Sequence, residues 1–341
     1  MEKKIRIIVD GYGGDNAPLA VLEGCRQAAE SLNAEIIITG RETALRKTAE
    51  ENGISLAGIA VADAPDIISM EDKPTEITKS KSRSSMAVGL EMLKRGEGDA
   101  FVSAGSTGAL LAGGTFIVRR IKGLKRPALA TAIPTRKGFY ILLDSGANAE
   151  CRPEMLAQFG IMGSAYARGL IKVENPTVGL INVGAEEGKG TPLQQEAYQL
   201  LKKAPVNFIG NVEARDLNDG ACHVAVCDGF TGNVVLKLTE GSAAAVMNLV
   251  KDALMSSFAA KIGGALIRPA LKGLKAKFDY SQYGGVPLLG LAKPVFKAHG
   301  SSGALAFKNA IRAALDFCNN KTTERIEKGI GELLALQSTD I

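Results

Sequence analysis

Six short polar stretches in the 341-residue chain combine glycine with hydroxyl, amide or carboxylate side chains: Asp10-Gly-Tyr-Gly-Gly-Asp-Asn, Ala104-Gly-Ser-Thr-Gly, Asp144-Ser-Gly-Ala-Asn, Val183-Gly-Ala-Glu-Glu-Gly-Lys-Gly-Thr, Asp228-Gly-Phe-Thr-Gly-Asn and His299-Gly-Ser-Ser-Gly. Glycine lets backbone N–H groups approach a ligand closely and tolerates positive φ. A helix that starts just after such a stretch adds unpaired N–H donors and a partial positive charge, which suits a phosphate. Asp10, Gly13, Gly14, Asp15, Gly105, Ser106, Thr107, Asp144, Asn148, Thr231, Gly232 and Ser301 are therefore candidate phosphate or substrate ligands. Any one stretch is also what an ordinary turn or helix cap uses. Six together point to a donor-rich cleft.

The pattern excludes some chemistries. None of the stretches is a Walker A loop, and Asn16 replaces the last glycine of G-x-G-x-x-G. There is no G-x-S-x-G elbow, and His223 and His299 are the only histidines. Cys222 and His223 of "CHVAVC" would point to opposite faces of a strand, so a metal site is not expected there. His299, beside Gly300 and Ser301, is the better functional histidine. Lys189, flanked by Gly188 and Gly190, could clamp an oxyanion or a phosphate. We expect no metal and no cofactor.

The elements that must position these residues are legible as aliphatic runs at 5–10, 35–40, 99–105, 128–134, 139–146, 177–184, 206–212 and 223–229. Near-continuous apolar runs of this length predict strands buried on both faces, hence a mostly parallel central sheet. Helical patterns at 17–32, 84–95, 153–170 and 191–203 predict helices covering both faces of that sheet, an α/β fold. Pro153 and Pro192 fall at helix starts, where proline costs no intrahelical bond. All but the His299 stretch follow a predicted strand, and in a parallel sheet those carboxyl ends share one edge, where open α/β folds bind ligands.

Residues 1–341 read as a single α/β catalytic domain, as one large core or two lobes, with a helical excursion at 235–280. In that excursion Lys261, Arg268, Lys272, Lys275 and Lys277 accompany Ile262, Leu266, Ile267, Leu271, Leu274 and Phe278, with no acid between Asp252 and Asp279. Pro269 is expected to end or kink its helix. The pattern suits a dimer-forming pair of helices, contact with an anionic membrane surface, or both.

A net charge of +5, from 41 Lys and Arg against 36 Asp and Glu, is too mild for a nucleic-acid binder. Five scattered cysteines fit reduced thiols rather than a disulfide framework. The first residues leave no room for a secretory apolar region, which predicts a cytoplasmic protein.

Longer motifs carry a resemblance. "VDGYGGDNAP", "VSAGSTGALLAG", "LLDSGAN", "GAEEGKG", "NFIGNVEARD", "CDGFTGNVVLK", "SQYGGVPLLG" and "KAHGSS" occur in this order, and from end to end the chain resembles the PlsX family of bacterial phosphate acyltransferases of phospholipid synthesis. It departs from the family pattern at Asn16, commonly His, and at Ser106, commonly Asn, with smaller variations at Tyr12 and Ser145.

The resemblance implies a fold similar to phosphotransacetylase and to isocitrate and isopropylmalate dehydrogenases. It implies transfer of a long acyl chain from acyl-carrier protein to inorganic phosphate, giving acyl phosphate for a membrane glycerol-3-phosphate acyltransferase. It also implies a homodimer, peripherally membrane-associated. On this basis Lys189, Asn233, Asp228 and His299 are the expected catalytic residues. Lys189 and Asn233 would act on phosphate or the thioester oxyanion, and Asp228 and Asp144 would orient the groups around them. Acyl-CoA as donor, and a scaffold without catalysis, are the alternatives.

Overall fold

A computed structural model of the chain describes residues 4–277 and 284–339. Phe278, Asp279 and the first three residues of "SQYGGVPLLG" lie outside the described residues.

The chain opens with a parallel unit, β1 (Ile5–Asp10), α1 (Leu19–Ser31) and β2 (Ala34–Gly40), then adds α2 (Glu42–Glu51) and β3 (Ile59–Asp63). After α3 (Ser85–Arg95), β4 (Ala100–Ser103) pairs with the other side of β1. Ser84 caps α3, its hydroxyl accepting from the Ala87 N–H, and Gly96 ends it in the left-handed region.

Two late strands, β11 (Val286–Leu289) and β12 (Val295–Lys297), complete this sheet with β5 (Ala128–Leu129), in the order β3-β2-β1-β4-β12-β11-β5. The pairs β11–β12 and β11–β5 are antiparallel and the rest parallel.

The expected single central sheet is in fact two. The apolar run at 128–134 changes sheets at Ala130, so that β6 (Thr131–Thr135) pairs antiparallel with β7 (Gly138–Leu143). The second sheet, β6-β7-β10-β8-β9, adds β8 (Thr177–Ile181), β9 (Asn207–Val212) and β10 (Val224–Val226), all parallel to β7. Pairing is chosen by partners distant in sequence, which a local apolar pattern does not report.

Alternate residues of β1 serve two cores: Ile7 and Val9 face α1, α5 (Pro153–Ile171) and α9 (Ala304–Asn319), whereas Ile8 faces α3 and α4 (Thr107–Gly113). The first of these cores also contains Ile141, Leu143, Val178 and Val226, so it is continuous across both sheets. The outer face of the second sheet packs under the start of α7 (Gly229–Met255), through Val235 and Leu236. α6 (Pro192–Lys203) begins with a reciprocal capping box between Thr191 and Gln194, and α10 (Thr322–Thr339) closes the chain.

The helical excursion is α7 followed by α8 (Phe258–Lys277). α8 continues through Pro269 rather than ending there; proline removes one intrahelical hydrogen bond, and the turns on either side keep theirs. Among the described residues no helix is long and apolar enough to cross a membrane.

Candidate active site

β1, β4 and β12 are adjacent and parallel, so the three loops leaving them meet. Asp10 ends β1 at 2% exposure; its carboxylate accepts from Ser85 Oγ (2.6 Å), Ser103 Oγ (2.7 Å) and the Tyr12 N–H (3.2 Å). Burial raises its pKa, while these donors and the charge of Lys297 pull it down. Asp10 therefore acts as a bolt between strands. Gly13 is packed so tightly on it that a Cβ would lie 2.7 Å from Asp10 Oδ2 and 2.8 Å from the Gly105 nitrogen.

The Asp15 N–H donates to the Gly300 carbonyl (2.8 Å), and Asn16 Nδ2 donates to the carbonyls of Ser301 (3.1 Å) and Ser302 (3.3 Å). Asn16 thus ties two strand-end loops together with an amide N–H, a task that an imidazole N–H can also perform. Ser106 is the N-cap of α4, its hydroxyl accepting from the Ala109 N–H, and Asn caps helices equally well. His299 Nδ1 bonds Ser301 Oγ at 2.8 Å.

On the second sheet β7 and β10 are neighbours, and their loops interlock. Asp144, fully buried, accepts from the N–H groups of Leu129, Gly146, Ala147 and Asn148 and from Asn148 Nδ2, at 2.7–3.1 Å. Burial pushes this carboxyl up, and the donors pull it back. Asp228 is the N-cap of α7: it accepts from the Thr231 N–H (2.9 Å) and Thr231 Oγ1 (2.8 Å). The Gly229 N–H donates to the Asn148 carbonyl at 2.7 Å.

Asp144, Asn148, Asp228 and Thr231 are thereby committed to building the loops. Asn233 differs. It is exposed beside Gly146 on the first turn of α7, and its side chain has no hydrogen-bond partner among the described residues.

A cavity of about 340 Å³ is lined from both sheets; of the loops described above, only the one after β12 and the first residue of α4 reach it, whereas the stretches 10–16, 144–148 and 228–233 are not in its lining. Thr107, Lys297, His299 and Gly300 line it from the first sheet, Thr131 and Ala132 from the second, and Leu236, Lys237 and Glu240 from α7, with Met70, Tyr166 and Leu170 as apolar wall. Ser145 Oγ, 2.7 Å from Thr131 Oγ1, links the Asp144 loop to this lining. Asn233 precedes Lys237 by four residues and so shares its side of α7.

Lys189 stands apart. It is half-exposed, lies 3.9 Å from Glu186, and does not line the cavity. His223 also stands away from the cavity, its Nδ1 bonded to Thr177 Oγ1 (2.7 Å) and to the Thr177 N–H (3.1 Å).

The residue that sequence reasoning missed is Lys297. It ends β12, lines the cavity, and its pKa is lowered to about 8 by burial, with Asp15 and Asp10 opposing the shift. A three-residue strand gives no periodic signal; the available clue was a lysine directly after an apolar pair and before "AHGSS".

Comparison with known proteins follows the same geometry. The family model described as fatty acid synthesis protein matches residues 5–325. A phosphate acyltransferase of Alkaliphilus oremlandii is 47% identical over 329 residues, covering 96% of this chain and 98% of that protein. A phosphotransacetylase from Streptococcus pyogenes superposes with a TM-score of 0.64 at 17% identity, covering 95% of each chain. A 4-hydroxythreonine-4-phosphate dehydrogenase from Klebsiella pneumoniae gives 0.52 at 13% identity, over 92% of this chain and 98% of that one. At such identities the two structures speak for the fold alone.

Proposed function

The chain belongs to the fatty acid synthesis protein family and is an acyltransferase of the phosphate acyltransferase type, and from that premise we propose that the cleft moves a long acyl chain from acyl-carrier protein to inorganic phosphate. The observation that carries this reading is one cavity with an apolar wall that is lined from both sheets and holds Lys297, His299 and Gly300 from the end of β12 together with Lys237 of α7.

A phosphate oxygen attacks the thioester carbonyl, the C–S bond breaks, and the acyl phosphate leaves with its new C–O bond. The proton released by hydrogen phosphate ends on the departing thiolate. Since a thiol has a pKa of about 8.5, the thiolate is a good leaving group and needs little acid assistance. Positioning and preorganised donors supply most of the acceleration. In this reading Asn233 donates to the oxyanion, and the Gly14 backbone cradles phosphate with Thr107 and Ser301, while the N–H groups of Gly13, Gly105 and Gly232 are given to the Asp10 carbonyl, Ser103 Oγ and the Asp228 carbonyl and only shape the loops. Lys189 would have to reach the anion from its half-exposed loop outside the cavity lining, and Asp144 and Asp228 hold the donors in place. His299 orients Ser301.

The test compares donors. With phosphate present the protein should form acyl phosphate from long-chain acyl-carrier protein at least tenfold faster than from the matching acyl-CoA. The reverse preference would move the reading to a phosphotransacetylase-like enzyme, and no product from either would leave a scaffold.

The α7–α8 pair supports a second part of the proposal: a homodimer that touches anionic membrane and hands acyl phosphate to a membrane glycerol-3-phosphate acyltransferase. Leu249, Phe258 and Leu266 are 68%, 81% and 77% exposed, and Lys261, Arg268 and Lys272 accompany them. Wild type should sediment with anionic vesicles, and changing Leu266 and Ile267 together to Gln should reduce the bound fraction several-fold. Equal sedimentation would remove the membrane role.

A further inference from the structure

Two lysines line the cleft. Lys237 is neutralised by Glu240, 2.9 Å away. Lys297 has no ion pair within 4 Å among the described residues; its Nζ donates to the backbone carbonyls of Ala104 (3.1 Å) and Ala298 (2.5 Å). An ammonium has three N–H bonds, so one is left over. Asp10, the nearby buried carboxylate, already accepts from Ser85, Ser103 and the Tyr12 N–H.

We propose that Lys297 is the phosphate anchor of the cleft: the N–H not used by the Ala104 and Ala298 carbonyls binds the anionic substrate against the surrounding strand-end loops. The proposal deepens the phosphate acyltransferase reading and rests on it. The two carbonyls aim the ammonium before substrate arrives, which spares the ordering cost that a free surface lysine would incur. They also explain why the half-exposed Lys189 need not be the primary anion site.

Burial leaves Lys297 with a pKa near 8, so the empty cleft holds a charge that an incoming dianion stabilises. Phosphate binding should then be coupled to proton uptake, strong below pH 8 and lost as pH rises through it. The other titratable groups facing this space are Asp10 and Asp15 on the β1 side, His299 on the same loop, Tyr166 on α5, whose hydroxyl burial keeps neutral, and Lys237 and Glu240 on α7.

Calorimetric titration with inorganic phosphate, without any acyl donor, tests this independently of turnover. Expressed per phosphate dianion, whose share of total phosphate itself rises over this range, the wild-type affinity should fall about tenfold from pH 7 to pH 9, the drop in the protonated fraction of a group titrating near 8. Lys297→Arg should bind the dianion with a flat profile, because guanidinium keeps its charge. Lys297→Met should bind at least tenfold more weakly at pH 7, with the KM for the acyl donor within twofold of wild type. A flat wild-type profile, or an Arg variant that weakens in parallel with wild type, overturns the proposal; this pair decides the matter even if the Met variant does not fold. Absence of acyl phosphate with phosphate binding as described would instead sink the acyltransferase reading.

Discussion

Gly232→Ala abolishes acyl phosphate formation and destabilises the protein by upwards of about 3 kcal/mol, beyond the usual range for overpacking. A Cβ at this position would lie 1.8 Å from the Asp144 carbonyl oxygen and 3.1 Å from Cys227 Sγ. Neither neighbour can yield. The Asp144 side chain pins its own loop through five hydrogen bonds, and Cys227 is buried at the end of β10. The first turn of α7 would have to lift away, taking Asn233 with it and breaking the contact between Gly229 and the Asn148 carbonyl. Gly331, in α10, is the control: nothing lies within 4 Å of its Cβ position, so alanine there should raise stability by about 0.5–1 kcal/mol and leave turnover alone. Urea denaturation and a turnover assay of both variants check the pair. A folded, active Gly232→Ala would show that the loops at 144–148 and 228–233 are not interlocked in solution.

Asn233→Ala should lower kcat by about 10²–10³ while stability stays within about 0.5 kcal/mol of wild type. The amide has no partner to lose among the described residues, so a large effect falls on the reaction. Loss of a preorganised oxyanion donor appears in kcat, whereas loss of a ground-state contact appears in KM. Lys189→Ala in the same assay should cost about tenfold or more, again without a stability change, because its ion pair with Glu186 is long and exposed. Wild-type turnover in Asn233→Ala would remove that residue from the reaction, and wild-type turnover in Lys189→Ala would return this lysine to the solvated rim.

What the chain alone determined was local chemistry. The limits of β1 and the starts of α3, α5 and α6 were readable because caps, first-turn prolines and apolar runs act over a few residues. The six glycine-rich stretches were readable for the same reason, and their order along the chain carried the family. Tertiary structure alone decided the division into two sheets at Ala130, the addition of β12 beside β4 and of β11 beside β12, and which stretches reach the cavity and which do not. It also separated residues of similar composition by what surrounds them. Asp144 is saturated by donors, Asn233 is open, Lys189 is half-exposed on a loop that does not line the cavity, and Lys297 lies in the cleft with two carbonyls on its ammonium. Those distinctions depend on desolvation and on hydrogen bonds between residues up to 193 positions apart, quantities that only the packed chain possesses.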